Sequence, residues 1–181
     1  MLAKTIKVSA LIFVALTIIF ALIYQCNSNA LFLSIAITFG TISYHFLMRL
    51  AVGYLVNGIF HNRFNYNLKW FREKSFEKHL YEVLKVKKWK DKMPTFAPEM
   101  LDFRVHTWEE IAGAMCQSEV VHSIIVVLCF VPVLATLKWG TFWVFLITSV
   151  ISAGVESMFV IMQRYNRPRV VRIIEKEYLM K

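Results

Sequence analysis

The sequence predicts an all-α integral membrane protein, with four transmembrane helices and an amphipathic helix lying in the cytoplasmic interface. Three observations carry that expectation. Of 181 residues, 57% are hydrophobic and only 18% are charged. The apolar residues are strung into four long runs, where a soluble helix or strand would space them at its own period. The net charge is +9, and the cations lie almost wholly on one side of those runs. A basic nucleic-acid binder would be polar, and a disordered chain would lack the apolar residues, so both classes are excluded. Cys26, Cys116 and Cys129 stand at wide spacing with no CxxC pair, which builds neither a disulfide framework nor a zinc ribbon.

The first span is expected at 8–24, 17 residues without a charge, at the short end of what crosses a hydrocarbon layer of about 30 Å. Lys4 and Lys7 precede it as they would a secretory signal. No small-x-small cleavage site follows, however, and another apolar run starts five residues on, so a retained helix is expected. The second span is placed at 30–50, inside a run that carries on to residue 60 with His45, Arg49 and Asn57 as its main interruptions. Residues 120–137 and 141–162 form the third and fourth spans, joined by the short turn Lys138, Trp139, Gly140. The chain reads as a single membrane domain over 1–181, with an interfacial region at 61–110 and a basic tail at 164–181.

In the interfacial region Phe76, Leu80 and Leu84 recur every fourth residue among Trp70, Phe71, Tyr81 and Trp89 and the lysines 74, 78, 85, 87 and 88. That pattern suits a helix lying among lipid headgroups, or else the solvated basic face of a connecting helix. Met93-Pro94 ends it. Thr107 followed by Glu110 forms a capping box that opens the next helix.

Orientation follows from the cations, because Lys and Arg near span ends stay on the cytoplasmic side. Residues 61–110 hold 11 of them and residues 164–181 hold six, whereas the two opposite connections, 25–29 and 138–140, hold one between them. Both termini and the central connection are therefore expected in the cytoplasm. The basic surface there suits anionic lipid or phosphate.

Ionisable residues inside a bilayer are costly and mark function by default. With this orientation His45 and Arg49 on the second span, Glu119 and His122 on the third, and Glu156 and Gln163 on the fourth all fall in the cytoplasmic half. Arg49 is either a site residue or a side chain snorkelling to headgroups. Glu119 and His122, three apart on one helical face, suit a general base with its carboxylate, a helix link, or a metal ligand pair. An ExxH metal bundle repeats its motif on a second helix, and this chain does not, so no metal is expected. Glu156 reads as the charge partner of Arg49 or of a histidine, since a buried carboxylate needs a counter-charge. GxSxG, HExxH, Walker A and GxGxxG patterns are all missing from the sequence.

Gln163-Arg164-Tyr165-Asn166-Arg167-Pro168-Arg169 and Lys87-Lys88-Trp89-Lys90-Asp91-Lys92-Met93-Pro94 resemble segments of a known family. Phe71-Arg72-Glu73, Phe76-Glu77, Glu119-x-x-His122 and His45 ahead of Tyr54 add to the likeness, over roughly residues 43–172. The chain is similar to small integral-membrane acyltransferases of the glycosyl-4,4'-diaponeurosporenoate acyltransferase type, which esterify a sugar hydroxyl with a fatty acyl chain.

The resemblance implies a membrane enzyme that moves a fatty acyl group from a thioester donor, acyl-CoA or similar, to a hydroxyl of a lipid or glycolipid at the cytoplasmic leaflet. No further cofactor and no nucleic acid are expected, and the setting is a bacterial-type cell membrane. His122 serves as general base, with His45 in reserve, and Glu119 or Glu156 orients the ring. Arg164, Asn166 and Arg167 suit the oxyanion or the donor's phosphates. Lys87, Lys88 and Arg169 are outer phosphate contacts with Trp89 beside them, and Arg49 and Gln163 complete the substrate-binding set. A non-catalytic lipid-binding or assembly subunit and a lipid methyltransferase stand as the other readings.

Overall fold

A chain crossing a bilayer must satisfy its backbone hydrogen bonds within itself, and a helix does so segment by segment. The structure, a computed structural model, describes residues 2–95, 97–140 and 142–180, and among these it is helical with no strand. Thr141, expected to start the fourth span, lies outside the described residues, as do Met1 and Lys181.

The long helices are α1 (Leu2–Asn27) and α2 (Ala30–Phe60), then α5 (Trp108–Leu128) and α7 (Phe142–Leu179); the short ones are α3 (Glu77–Val83), α4 (Val86–Trp89) and α6 (Thr136–Trp139). Among the described residues four helical stretches are long and apolar enough to cross a membrane: Lys4–Asn27, Ala30–Phe60, Trp108–Trp139 and Phe142–Leu179.

The helices outrun the apolar stretches that announced them. α2 continues past residue 50 to Phe60, where His61 takes a left-handed conformation and caps it. α5 begins well before residue 120, at the capping box: the Thr107 hydroxyl accepts from the Glu110 amide while the Glu110 carboxylate accepts from the Thr107 amide. It stops at Leu128, and Pro132 sits in the 3-10 turn Val131–Ala135 that leads into α6. The basic segment 164–179 is no separate tail but the continuation of α7, with Pro168 inside the helix. The interfacial helix is divided, since Lys85 sits at φ 50° between α3 and α4.

α1 lies along α2, α2 packs on α5, and α5 on α7. Phe13 and Phe20 of α1 stack on Phe32, Phe39 and Phe46 of α2. A shared core of Met48, Val52, Val56, Ile125, Cys129 and Ala153 joins α2, α5 and α7. Tyr44 adds a polar tie by donating to the Leu128 carbonyl at 2.8 Å. Leu11, Leu55, Val127, Trp143 and Ile151 point outward and are exposed, as residues facing acyl chains should be.

The first half of α5 is enclosed by the central connection. Ile111 to Gln117 are all buried, because the chain leaving α2 folds across this helix. Asn62 donates its amide to Gln117 Oε1 at 2.7 Å, and Gln117 donates onward to Asn57 Oδ1 at 3.1 Å. The approach is close enough that a Cβ at Gly113 would stand 2.6 Å from the Asn62 carbonyl oxygen. A glycine is required there.

Candidate active site

α5 and α7 carry two ionic clusters stacked along the bundle, one joined by α2 and the other by the central connection. On α7, Glu156 precedes Arg164 by eight residues, about 12 Å of helix rise, and the two belong to different clusters.

The cluster farther from the central connection is built on Glu156, buried at 2% exposure. Its Oε2 accepts from Nδ1 of His122 at 2.6 Å, and its Oε1 accepts from Nε of Arg49 at 2.5 Å. Arg49 also donates through Nη2 to Ser152 Oγ at 3.2 Å, and Ser152 Oγ lies 3.3 Å from Nδ1 of His45. The His122 ring stacks on Phe159 at 4.6 Å between centroids and 8° between planes. A carboxylate only accepts, so His122 donates from Nδ1, and in the neutral ring Nε2 is then the nitrogen with the lone pair.

The two histidines differ in access. The His122 side chain is 22% exposed. His45 is buried, and among the described residues nothing partners its Nε2. A base has to reach the proton it takes, so the geometry favours His122.

The second cluster sits where the central connection crosses α5 and α7. Arg164 donates from Nε to Glu77 Oε1 at 2.7 Å and from Nη1 to Glu119 Oε1 at 2.6 Å, and further to the carbonyls of Trp70 and Arg72 at 3.2 and 3.3 Å. Arg167 pairs with Glu119 Oε2 and donates to the Phe71 carbonyl at 2.6 Å, with its guanidinium 4.9 Å from the Phe71 ring centre. Tyr81 donates to Glu77 Oε2 at 3.0 Å. Burial, and then the charge of Glu77, push the Tyr81 phenol above its ordinary range. Two guanidinium groups thus face two carboxylates, and the carbonyls of residues 70–72 accept further hydrogen bonds from them.

This arrangement changes the part expected of several residues. Of the two carboxylates expected to orient His122, Glu156 meets the imidazole and Glu119 turns to the arginines. α7 decides the pairing: Arg164 and Arg167 on that helix bond Glu119, and Glu156 on the same helix bonds His122. Arg164 and Arg167, expected on the oxyanion or donor phosphate, bond carboxylates and carbonyls of the protein itself. Gln163 is buried and donates to Ser118 Oγ at 3.1 Å.

Asn166 accepts from Arg169, whose guanidinium lies 4.1 Å from the Tyr165 ring centre. Lys87 and Lys88 are exposed on α4, and Trp89 donates from its indole to the Leu84 carbonyl at 2.9 Å. Among the described residues no three of His, Cys, Asp and Glu are grouped so as to hold a metal ion.

Sequence reasoning left Ser152, Phe159 and Tyr81 out of the site. Ser152 lies one turn before Glu156 and Phe159 three residues after it, so the helical register around Glu156 was the signal that marked both.

The profile of the glycosyl-4,4'-diaponeurosporenoate acyltransferase family matches residues 67–176. The chain belongs to that family. No curated protein and no solved structure matches it. Membership makes this membrane protein an acyltransferase, and the family segment carries α3 to α6 and nearly all of α7. The match begins later than the likeness drawn above from residue 43, so His45 and Arg49 on α2 lie outside the acyltransferase segment while Glu119, His122, Glu156, Arg164 and Arg167 lie inside it.

Proposed function

We propose that this acyltransferase moves a fatty acyl group from a thioester donor to a sugar hydroxyl of a glycolipid at the cytoplasmic leaflet, with His122 as general base. One observation carries the reading: the His122 Nδ1 is held at 2.6 Å by a buried carboxylate while the ring stays partly exposed. That is a base with its orienting group, the arrangement that activates a hydroxyl in unrelated enzymes.

In the step, Nε2 takes the hydroxyl proton as the oxygen attacks the thioester carbonyl. The tetrahedral intermediate collapses with cleavage of the C–S bond, and the imidazolium returns the proton to the departing thiolate. Glu156 offsets the imidazolium charge between those events. Exposed outward-facing apolar side chains on the long helices support donor and acceptor tails staying in the bilayer while their reactive groups meet at His122. Belonging to a family described by a glycosylated acceptor supports a glycolipid over a simple alcohol.

The test is turnover of acyl-CoA with a glycolipid acceptor by purified, folded protein. His122→Gln is expected to lower kcat on the order of 10²- to 10⁴-fold, and near wild-type turnover overturns the assignment. Replacing acyl-CoA with acylated acyl carrier protein in the same assay identifies the donor carrier.

A further inference from the structure

The carboxylate behind His122 is gripped from outside the family segment. Arg49 and His45 stand four residues apart on α2, and Ser152 and Glu156 stand four apart on α7, so each pair occupies one helical face. The faces meet: Arg49 bonds Glu156 and Ser152, and Ser152 bonds His45. A polar chain His45–Ser152–Arg49–Glu156 thus runs between the two helices, and its Glu156 end touches the base.

The chemistry of the contact matters. Arg49 presents two donors of one rigid guanidinium, Nε to the carboxylate at 2.5 Å and Nη2 to the hydroxyl at 3.2 Å. Two anchor points fix the plane of the guanidinium, and that in turn fixes where Glu156 Oε1 sits; an ammonium would supply charge without direction. With Oε1 fixed and the chi angles of a side chain 3% exposed held by packing, Oε2 has one place to be, against His122 Nδ1. His45 contributes from behind: its Nδ1 holds the Ser152 hydroxyl while its Nε2 is buried without a partner among the described residues. The imidazole is aimed at Ser152.

We infer that α2 completes the catalytic centre, with Arg49 as a positioning residue that acts on His122 through Glu156 and is itself seated by Ser152 and His45. The inference rests on His122 being the base. It assigns a role in the chemistry to a helix that the family segment, beginning at residue 67, does not include.

The experiment measures kcat, KM and melting temperature of the full-length enzyme in detergent for Arg49→Gln, Arg49→Lys, Glu156→Gln and the Arg49→Gln/Glu156→Gln pair, beside His122→Gln. Arg49→Gln is expected to lower kcat on the order of 10- to 100-fold, the usual cost of losing a group that orients a ligand or base, with KM little changed. Arg49→Lys, which keeps the charge, recovers only part of the loss. In the Glu156→Gln background the same Arg49 change costs almost nothing further, because residues acting as one unit are not additive. The pair also leaves no unpaired buried charge, so it stays informative if Arg49→Gln alone does not fold.

Wild-type kcat in folded Arg49→Gln, or an undiminished Arg49 effect on top of Glu156→Gln, overturns the inference. If that occurs while His122→Gln is inactive, only the role of α2 is lost. If His122→Gln turns over normally, the general-base reading is lost and the inference with it.

Discussion

Arg167 and Glu119 form an ion pair in which the two side chains are 2% and 1% exposed. The other edge of the guanidinium donates to the Phe71 carbonyl at 2.6 Å, so one arginine pins α7 to α5 and to the central connection together. Removing Arg167 takes from Glu119 one of its two guanidinium partners and from the Phe71 carbonyl its donor; with Arg164 still on Glu119 the loss stays below the roughly 3–5 kcal/mol of orphaning a buried charge outright. Arg167→Ala is therefore expected to lower the melting temperature of the purified protein, while the molecules that remain folded keep their turnover. A variant of wild-type stability that has lost acyl transfer would return Arg167 to the substrate.

Gly113 predicts a second loss of stability, by a different mechanism. Its missing side chain faces backbone, the Asn62 carbonyl at 2.6 Å and the Phe64 carbonyl at 3.4 Å from a built Cβ, and backbone cannot rotate away as a flexible side chain does. Gly113→Ala should cost about 1–3 kcal/mol, the range of overpacking. Gly154→Ala is the control. Nothing lies within 4 Å of its Cβ position, and there alanine gains roughly 0.5–1 kcal/mol from helix preference. Thermal melts of the two variants should move in opposite directions.

The contrast between these two glycines shows where the sequence was informative. Hydropathy reported the four long helices, because burial in lipid requires apolar residues all round, and the capping box at Thr107 marked the start of α5. Depth placed His45, Arg49, Glu119, His122 and Glu156 together, since charges in a bilayer seek one another. Glu156 reads from the sequence as the partner of Arg49 or of a histidine, and it meets both Arg49 and His122; which histidine it meets, and where Glu119 turns, the sequence does not record. Which carboxylate meets His122 depends on how α7 is rotated against α5, and no pattern in one helix records the rotation of its neighbour. Glu119 and His122 share a face by spacing, yet belong to separate clusters. Gly113 looked like any glycine until Asn62 crossed it.

Tyr81 gives the interface a dependence on pH. The phenol is buried against the Glu77 carboxylate, which raises its pKa in the folded protein above the unfolded value near 10. Between those two values the unfolded state loses the proton first, so the native state holds more protons and stability falls as pH rises. Its contribution is complete below about pH 10 and disappears through the folded pKa. Alkaline unfolding should accordingly begin above that point, and Tyr81→Phe should flatten the slope there. Near neutrality the same change costs roughly 1–3 kcal/mol, for the hydrogen bond lost to a charged acceptor. An unchanged slope between pH 10 and 12 in the variant would assign the alkaline loss to other groups.

Cys26 reports the direction in which the chain crosses the membrane. It is exposed at the end of α1, beside the two-residue break before α2, whereas Cys116 and Cys129 are buried. The 11 cations of residues 61–110 and the six of 164–181 oppose a single lysine in the two connections on the Cys26 side, and so large an asymmetry near span ends sets orientation. A membrane-impermeant maleimide added to intact cells should therefore modify Cys26 once, and Cys26→Ser should abolish the label. Ser75, exposed on the central connection, supplies the reciprocal site: in a Cys26→Ser/Ser75→Cys protein, labelling should require permeabilised cells. The opposite pattern at both positions would turn the bundle over and place the His122 end of the bundle toward the outer leaflet.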